Sequence, residues 1–161
     1  MKRKTILLSL ALVFPVIVFI FLKMFGRNHF DIPIYHEKEL SHAAGCNYQY
    51  AIPYTIADSL YLSFGWKTHH TMLVSFSPMA DESRLRLNEK FKPTVLQIVN
   101  IEEDRYKNLE TNLKQCIFLV PDEFNTVLVD DKKRIRGYFQ LNNREETDRL
   151  IVELAILLQE Y

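Results

Sequence analysis

Apolar and polar positions along residues 71–120 change in a way that predicts alternating strands and helices. Met72–Phe76 and Thr94–Ile101 are short runs of apolar or β-branched residues, which are typical of buried strands. Between them, residues 81–91 carry apolar side chains at helical spacing among charges, and a polar surface helix is predicted over residues 102–114. The apolar run at residues 116–120 is interpreted as a further strand.

The remaining residues predict a β-hairpin followed by a long helix. Thr126–Asp130 and Arg134–Phe139 flank a polar turn, DDKKR, as hairpin strands do. Asn142 and Glu145 match a capping box, and residues 145–161 present one apolar stripe. A strand–helix–strand unit makes a parallel pair, and a hairpin adds an antiparallel pair to the same sheet. The predicted fold is α/β: a thioredoxin-like central mixed sheet flanked by helices.

The start of the chain predicts one transmembrane helix before this domain. Residues 5–22 contain no charge, and about 20 apolar residues span the ~30 Å hydrocarbon core of a bilayer. No A-x-A site follows them, which favours an uncleaved signal anchor over a cleaved signal peptide. The predicted organisation is an anchor at 1–27, a stalk and N-terminal extension at 28–58 with a strand or two around Tyr48–Ile56, and the thioredoxin-like domain at 59–161.

The charge distribution indicates both the orientation and the class of partner. Residues 1–27 hold five Lys or Arg and no acid, whereas the remainder holds 15 Lys or Arg against 20 Asp or Glu, a net charge of −5. The acidic remainder argues against nucleic-acid binding. The basic start favours a cytoplasmic N-terminus by the positive-inside rule. We therefore expect a single-pass protein of the inner (cytoplasmic) membrane that contacts lipid through residues 5–25 and exposes a periplasmic domain.

Few residues suggest a metal or redox site. His36, His42 and Cys46 follow one another at spacings of six and four, which permits a zinc or copper site but also suits a solvated loop. Cys46 and Cys116 either form a disulfide, and so a redox couple, or remain two separate thiols. An oxidising compartment is compatible with two cysteines.

Two polar groups are expected to be structural. Asp130 and Asp131 lie at the basic hairpin turn and are interpreted as solvated, turn-forming residues. Asp81 or Ser77 is expected to cap the helix that starts near residue 81.

The segment VLVDDKKRIRGYFQLNNREETDRLIVELAILL, residues 127–158, resembles the C-terminal hairpin and helix of the Sco/SenC family. The shared order is a Leu-Val-Asp strand, a turn, an Ile-Arg-Gly-Tyr strand and an amphipathic helix. The N-terminal anchor and the cysteine-containing stretch before AIPYTIAD are similar to the bacterial members. The resemblance implies a membrane-anchored thioredoxin-like protein that serves cytochrome c oxidase, with copper as the family's cofactor and an oxidase subunit or assembly factor as partner.

The chain departs from that family at the copper site. The Cys-x-x-x-Cys pair should fall between Phe76 and Leu85, where the chain reads SPMADESR, and residues 120–125 lack the histidine that should precede the Leu-Val-Asp strand. Two thiolates and an imidazole suit copper(I), and all three are missing from the matching positions. We therefore expect no bound cofactor and a non-catalytic accessory protein. The alternative is a displaced metal or thiol-redox site, formed by Cys46 with His36 and His42, or by a Cys46–Cys116 couple.

Overall fold

The chain forms two compact units, Met1–Asp31 and Ile32–Tyr161. A computed structural model describes residues 2–25, 32–40, 46, 48–63, 65–66, 70–101 and 110–159, with the side chains of the first helix described over residues 11–24.

The first unit contains helix α1, Lys2–Phe25, which is 24 residues long and includes Pro15. The large apolar side chains from Leu12 to Met24 are exposed. Over the part of the chain that the structure describes, no helix meets the length and hydropathy needed to cross a bilayer.

The second unit is a mixed α/β domain built on one sheet. Its elements are α2 (Asp58–Ser63), β1 (Thr71–Ser75), α3 (Asp81–Lys90), β2 (Leu96–Asn100), α4 (Glu110–Asn112), β3 (Thr126–Val129), β4 (Ile135–Phe139) and α5 (Arg144–Gln159). The strands lie in the order β2-β1-β3-β4. The pair β1 and β2 is parallel, whereas β3 is antiparallel to both β1 and β4. The predicted parallel unit and hairpin are thus confirmed.

Two predictions about segments outside this sheet are wrong. The run at residues 116–120 is not a strand, because α4 continues into a π-helical turn at Leu113–Ile117. No strand forms among the described residues 48–63, and the supposed stalk packs on the domain instead. The amide of Tyr35 donates to the carbonyl of Ile135, and that of Ile56 donates to Lys133. The predicted helix at residues 102–109 lies outside the described residues.

The alternation of side chains along the strands makes two cores. Met72 and Val74 face a core shared with Tyr54, Ile56 and the π-helical turn. Leu73 faces the opposite way, into a core that α3 and α5 cover. Period-two alternation in a strand buried on both faces produces this split.

The N-cap residue of helix α5 lies one position later than predicted. The Asn143 side chain, not that of Asn142, accepts a hydrogen bond from the backbone amide of Glu145 at 2.9 Å. The apolar stripe is confirmed, with Leu150, Ile151, Leu154 and Leu157 buried against the sheet. Arg149 covers one end of this core, with its guanidinium carbon 4.5 Å from the centroid of the Phe139 ring.

Truncation of leucines in the apolar stripe tests whether α5 packs on the sheet. Leu154→Ala should lower the free energy of unfolding by about 3 kcal/mol, because Leu154 is fully buried and a cavity remains. Leu158 is only half-buried, so Leu158→Ala should cost distinctly less. Denaturant unfolding of the Ile32–Tyr161 unit measures both, and equal losses would show that α5 is not packed in this register.

Candidate functional site

The joint between β1 and α3 is closed by hydroxyl and amide groups. The Ser75 hydroxyl donates to the carbonyl of Ser77 at 2.7 Å. The Asn125 side-chain amide, from the loop before β3, donates to the Ser77 hydroxyl at 2.6 Å. Thr126 donates to the Asn125 side-chain oxygen at 2.9 Å. These contacts occupy the turn where the family resemblance places two cysteines.

The same network continues into α5. The Ser83 hydroxyl lies 3.0 Å from the carbonyl of Leu141 and 2.9 Å from the Thr147 hydroxyl. The amide of Leu141 also donates to the Asn125 side-chain oxygen at 3.3 Å. Satisfied buried polar groups stabilise one arrangement of the elements they join. The joint therefore fixes β1, α3, β3 and α5 relative to one another.

The joint is poor in chemical reactivity. No thiol, imidazole or carboxylate belongs to the six side chains of this network, all of them within the described residues: Ser75, Ser77, Ser83, Asn125, Thr126 and Thr147. A serine nucleophile needs an adjacent base. The predicted side-chain cap is wrong, because Ala80 precedes α3 and makes no side-chain bond. Asp81 and Glu82 complement the helix dipole in the first turn.

Cys46 and Cys116 form a disulfide, which decides between the two alternatives for these residues. Their Cα atoms are 5.6 Å apart across a sequence separation of 70. The bond ties the N-terminal extension to the π-helical turn. Cys116 is 8% exposed and Cys46 is half-buried.

Three tyrosine hydroxyls form hydrogen bonds with backbone carbonyls at the end of the π-helical turn. The hydroxyl of Tyr50 donates to the carbonyl of Cys116 at 2.9 Å, and that of Tyr54 donates to Ile117 at 2.6 Å. The Tyr138 hydroxyl reaches the carbonyl of Phe118 at 3.3 Å. The last carbonyls of a helix have no intrahelical partner, so these hydroxyls act as its cap. Burial, with smaller effects of nearby tyrosines, raises the pKa of Tyr54 to about 12, which keeps its hydroxyl protonated.

A cleft of about 470 Å³, which we call the tyrosine cleft, lies between Tyr50 and Tyr54 on one side and the π-helical turn on the other. One wall is the segment from Tyr48 to Leu60, and the other runs from Asn112 to Ile117, beside the disulfide. The rings of Tyr50 and Tyr54 meet edge to face, with centroids 5.6 Å apart. π-Helical turns occur frequently at functional sites. The cleft is therefore the candidate binding site of the domain.

His36, a predicted metal candidate, is a packing residue in the structure. Its Nε2 atom lies 3.0 Å from the Tyr138 hydroxyl, and its backbone has φ 58°, in the left-handed region. Its ring also lies edge-on to that of Tyr54. Desolvation by burial lowers the pKa of His36 from 6.5, with a smaller opposing effect of the Glu39 backbone.

The lowered pKa of His36 predicts a pH-dependent stability. The folded domain holds the neutral imidazole, whereas the unfolded chain takes up a proton near pH 6.5. The stabilisation is complete above that pH and is lost as the pH falls through the lowered folded pKa. Melting temperatures between about pH 7.5 and 5.5 should therefore fall more steeply for the wild type than for His36→Asn, since Asn tolerates positive φ. If the melting temperatures of both proteins fell in parallel with pH, His36 would not be the cause of the pH dependence.

Of the three metal candidates, only His36 and Cys46 lie among the described residues. No cluster of three or more His, Cys, Asp or Glu suited to a metal occurs among the residues the structure describes. His42 lies outside them. Because the Cys46 sulfur is bonded to Cys116, it is not a thiolate ligand in this state.

Asp130 is not the solvated turn residue that the sequence indicated. It is fully buried, and its Oδ1 atom accepts the backbone amides of Lys132 and Arg134, each at 2.9 Å. Its Oδ2 atom lies 2.7 Å from an Arg134 guanidinium nitrogen and 3.3 Å from one of Arg136. Arg136 in turn donates to the carbonyl of Ile32 at 2.8 Å. The aspartate thus connects the hairpin turn, β4 and the N-terminal extension.

Sequence reasoning missed the tyrosine cleft and the buried aspartate, although each left a signal. Tyr48 and Tyr50 are two residues apart, which places them on one side of an extended chain. Arg134 and Arg136 show the same spacing at the start of β4, after the aspartate pair at 130 and 131. Both patterns needed the three-dimensional position of a partner to be interpreted.

Comparisons with known proteins leave the chain without an assigned relative. No protein-family model, no curated protein and no solved structure matches it.

Proposed function

We propose that the protein is a membrane-anchored, Sco/SenC-like accessory protein with a thioredoxin-like domain that binds a protein partner in cytochrome c oxidase assembly, without catalysing a reaction. The partner is an oxidase subunit or an assembly factor, as the resemblance of residues 127–158 implies.

The sheet topology supports the thioredoxin-like part of this proposal. A parallel β1-α3-β2 unit is followed by an antiparallel β3-β4 hairpin and a C-terminal helix on one sheet. Helical segments lie against both cores of this sheet. A βαβ unit joined to a ββα unit in this way is the arrangement of the thioredoxin fold.

The hydrogen-bonded joint is the observation that carries the binding role. Thiol exchange needs an attacking thiolate and a second sulfur. The turn offers Ser77 instead, whose hydroxyl is bonded to Asn125 at 2.6 Å. The joint therefore has a structural role in the domain, which favours a function in binding over one in thiol chemistry.

The anchor and the compartment rest on two further observations. Residues 5–22 contain no charged side chain, and this run is the sequence feature on which the proposed anchor rests. The Cys46–Cys116 disulfide supports an oxidising compartment for the second unit. Both agree with an inner-membrane protein that has a periplasmic domain.

Complementation of a deletion strain tests the proposal. Loss of the gene should reduce the amount of assembled cytochrome oxidase, and the full-length protein should restore it. A tagged copy, cross-linked in cells and solubilised in mild detergent, should retain an oxidase subunit or assembly factor. A copy with Asp130→Asn, which weakens the domain, should fail in proportion to its loss of folded protein. Normal oxidase in the deletion strain, with no oxidase component on the tagged protein, would exclude this function.

The observed disulfide favours thiol–disulfide exchange as a second candidate function. Exchange at Cys46–Cys116 would require an accessible sulfur, and Cys46 is the more exposed of the two. The discriminating variant is Cys46→Ser with Cys116→Ser. If this variant folds, accumulates and still supports oxidase assembly, the binding role stands. If it accumulates normally but fails in assembly, the redox role replaces it.

A further inference from the structure

The tyrosine cleft is concave, and its size suits a small ligand. Its volume of about 470 Å³ lies within the ~300–1,000 Å³ typical of small-molecule sites. Among the described residues, thirteen from two segments line it. A stable protein interface needs roughly 20–30 residues on each side. The cleft therefore fits a compact ligand better than a protein surface.

The hydroxyl groups of the three lining tyrosines are hydrogen-bonded to the protein. The hydroxyl of Tyr48 donates to the Asn112 side-chain oxygen at 3.3 Å. Those of Tyr50 and Tyr54 donate to helix carbonyls. Because all three hydroxyls are directed to the protein, the rings, Leu60 and Leu113 are left to contact a ligand. Aromatic rings bind other flat apolar rings by offset stacking or edge-to-face contact.

The described lining of the cleft is uncharged. None of the described residues that line it is acidic or basic, although the domain as a whole is acidic. Transfer of an ion to a site without a counter-charge is costly, whereas an uncharged ring loses little. The few polar lining groups, such as Asn112 and Gln49, suffice to orient one neutral polar substituent.

We propose that the cleft between residues 48–60 and 112–117 binds an uncharged, flat aromatic small molecule. This proposal does not depend on the proposed function. Its walls are the N-terminal extension and the π-helical turn, which the Cys46–Cys116 disulfide and the tyrosine hydroxyls hold together.

Three matched probes test this proposal on the full-length protein in lipid nanodiscs. Indole is neutral, whereas indole-3-acetate and tryptamine carry opposite charges on side chains attached to the same ring. Indole should shift the leucine methyl resonances of Leu60 and Leu113 saturably. The charged analogues should bind more weakly by about tenfold or more, because none of the described lining residues offers a counter-charge. Free probe concentrations are measured by dialysis against empty nanodiscs.

Substitutions that fill the cleft provide the structural control. Ala57→Trp, and Ala51→Trp as a second variant, place a ring in the site and should weaken indole binding by about tenfold or more. Leu85→Trp, on an exposed position of α3 outside the cleft, should leave it unchanged. The proposal would be overturned if a folded filling variant bound indole as tightly as the wild type. It would also be overturned if the charged probes bound as tightly as indole, or if indole caused no saturable shift. Partner cross-links formed from Tyr48, without indole binding, would reassign the cleft to a protein.

Discussion

Removing the disulfide should lower the free energy of unfolding of the second unit by about 4 kcal/mol, because it closes a loop of about 70 residues. In the chain-entropy description, the cross-link restricts the unfolded ensemble, and the restriction grows with the logarithm of the loop length. The variant is Cys46→Ser with Cys116→Ser in the Ile32–Tyr161 unit. Denaturant unfolding at neutral pH measures the difference.

A reductant provides the matched control for this prediction. Reduced wild type should lose about the same free energy as the double variant, and the double variant should not respond to reductant. Because the bond tethers the N-terminal extension, hydrogen exchange should also rise first at Tyr50 and Tyr54, on the same wall of the cleft. A wild type whose stability is insensitive to reductant would show that the two cysteines are not joined in the folded protein.

Asp130→Asn should destabilise the same unit by about 3 kcal/mol or more, because it leaves buried guanidinium charge without its carboxylate. The amide keeps the shape of the side chain and can still accept the two backbone amides through its oxygen. Its NH₂ group, however, would face the donors of Arg134 and Arg136. The loss therefore comes from charge and donor–donor conflict rather than from a cavity.

The same substitution at an exposed ion pair is the control. Asp148 pairs with Arg86, and its side chain is 53% exposed. Asp148→Asn should change the free energy of unfolding by about 1 kcal/mol at most, since solvent screens such pairs. Urea unfolding of both variants at one ionic strength gives the comparison. Similar small losses would mean that Asp130 is solvated, as the turn sequence suggested.

The elements that the sequence predicted well are those with strong local patterns. The stripe around Leu154 and the β-branched run of β2 lie where periodicity placed them, because burial acts on every member of a regular element. The π-helical turn was misread as a strand, since a short apolar run does not distinguish a buried strand from a buried helical turn. The segment that holds Tyr54 was misread as a strand, because two buried residues two positions apart, Tyr54 and Ile56, match the period of a strand without forming one.

The candidate sites could not be predicted from local patterns, since each depends on residues far apart in the chain. The absence of cysteine from the turn at Ser77 was clear from the sequence, but its bond to Asn125 crosses 48 positions. Likewise, the spacing of His36 and Cys46 suggested a metal, whereas their neighbours in space are Tyr138 and Cys116.

The sequence by itself determined the α/β class, the parallel strand–helix–strand unit, the hairpin and the last helix, the acidic composition that follows a basic, apolar start, and the lack of cysteine between Phe76 and Leu85. Hydrophobic periodicity and residue identity are local properties, so no folded structure was needed to see them. Only the tertiary structure decided the Cys46–Cys116 pairing, the burial of Asp130 and the tyrosine cleft. Each of these is a distance between side chains that the chain brings together only when the sheet and its two cores form.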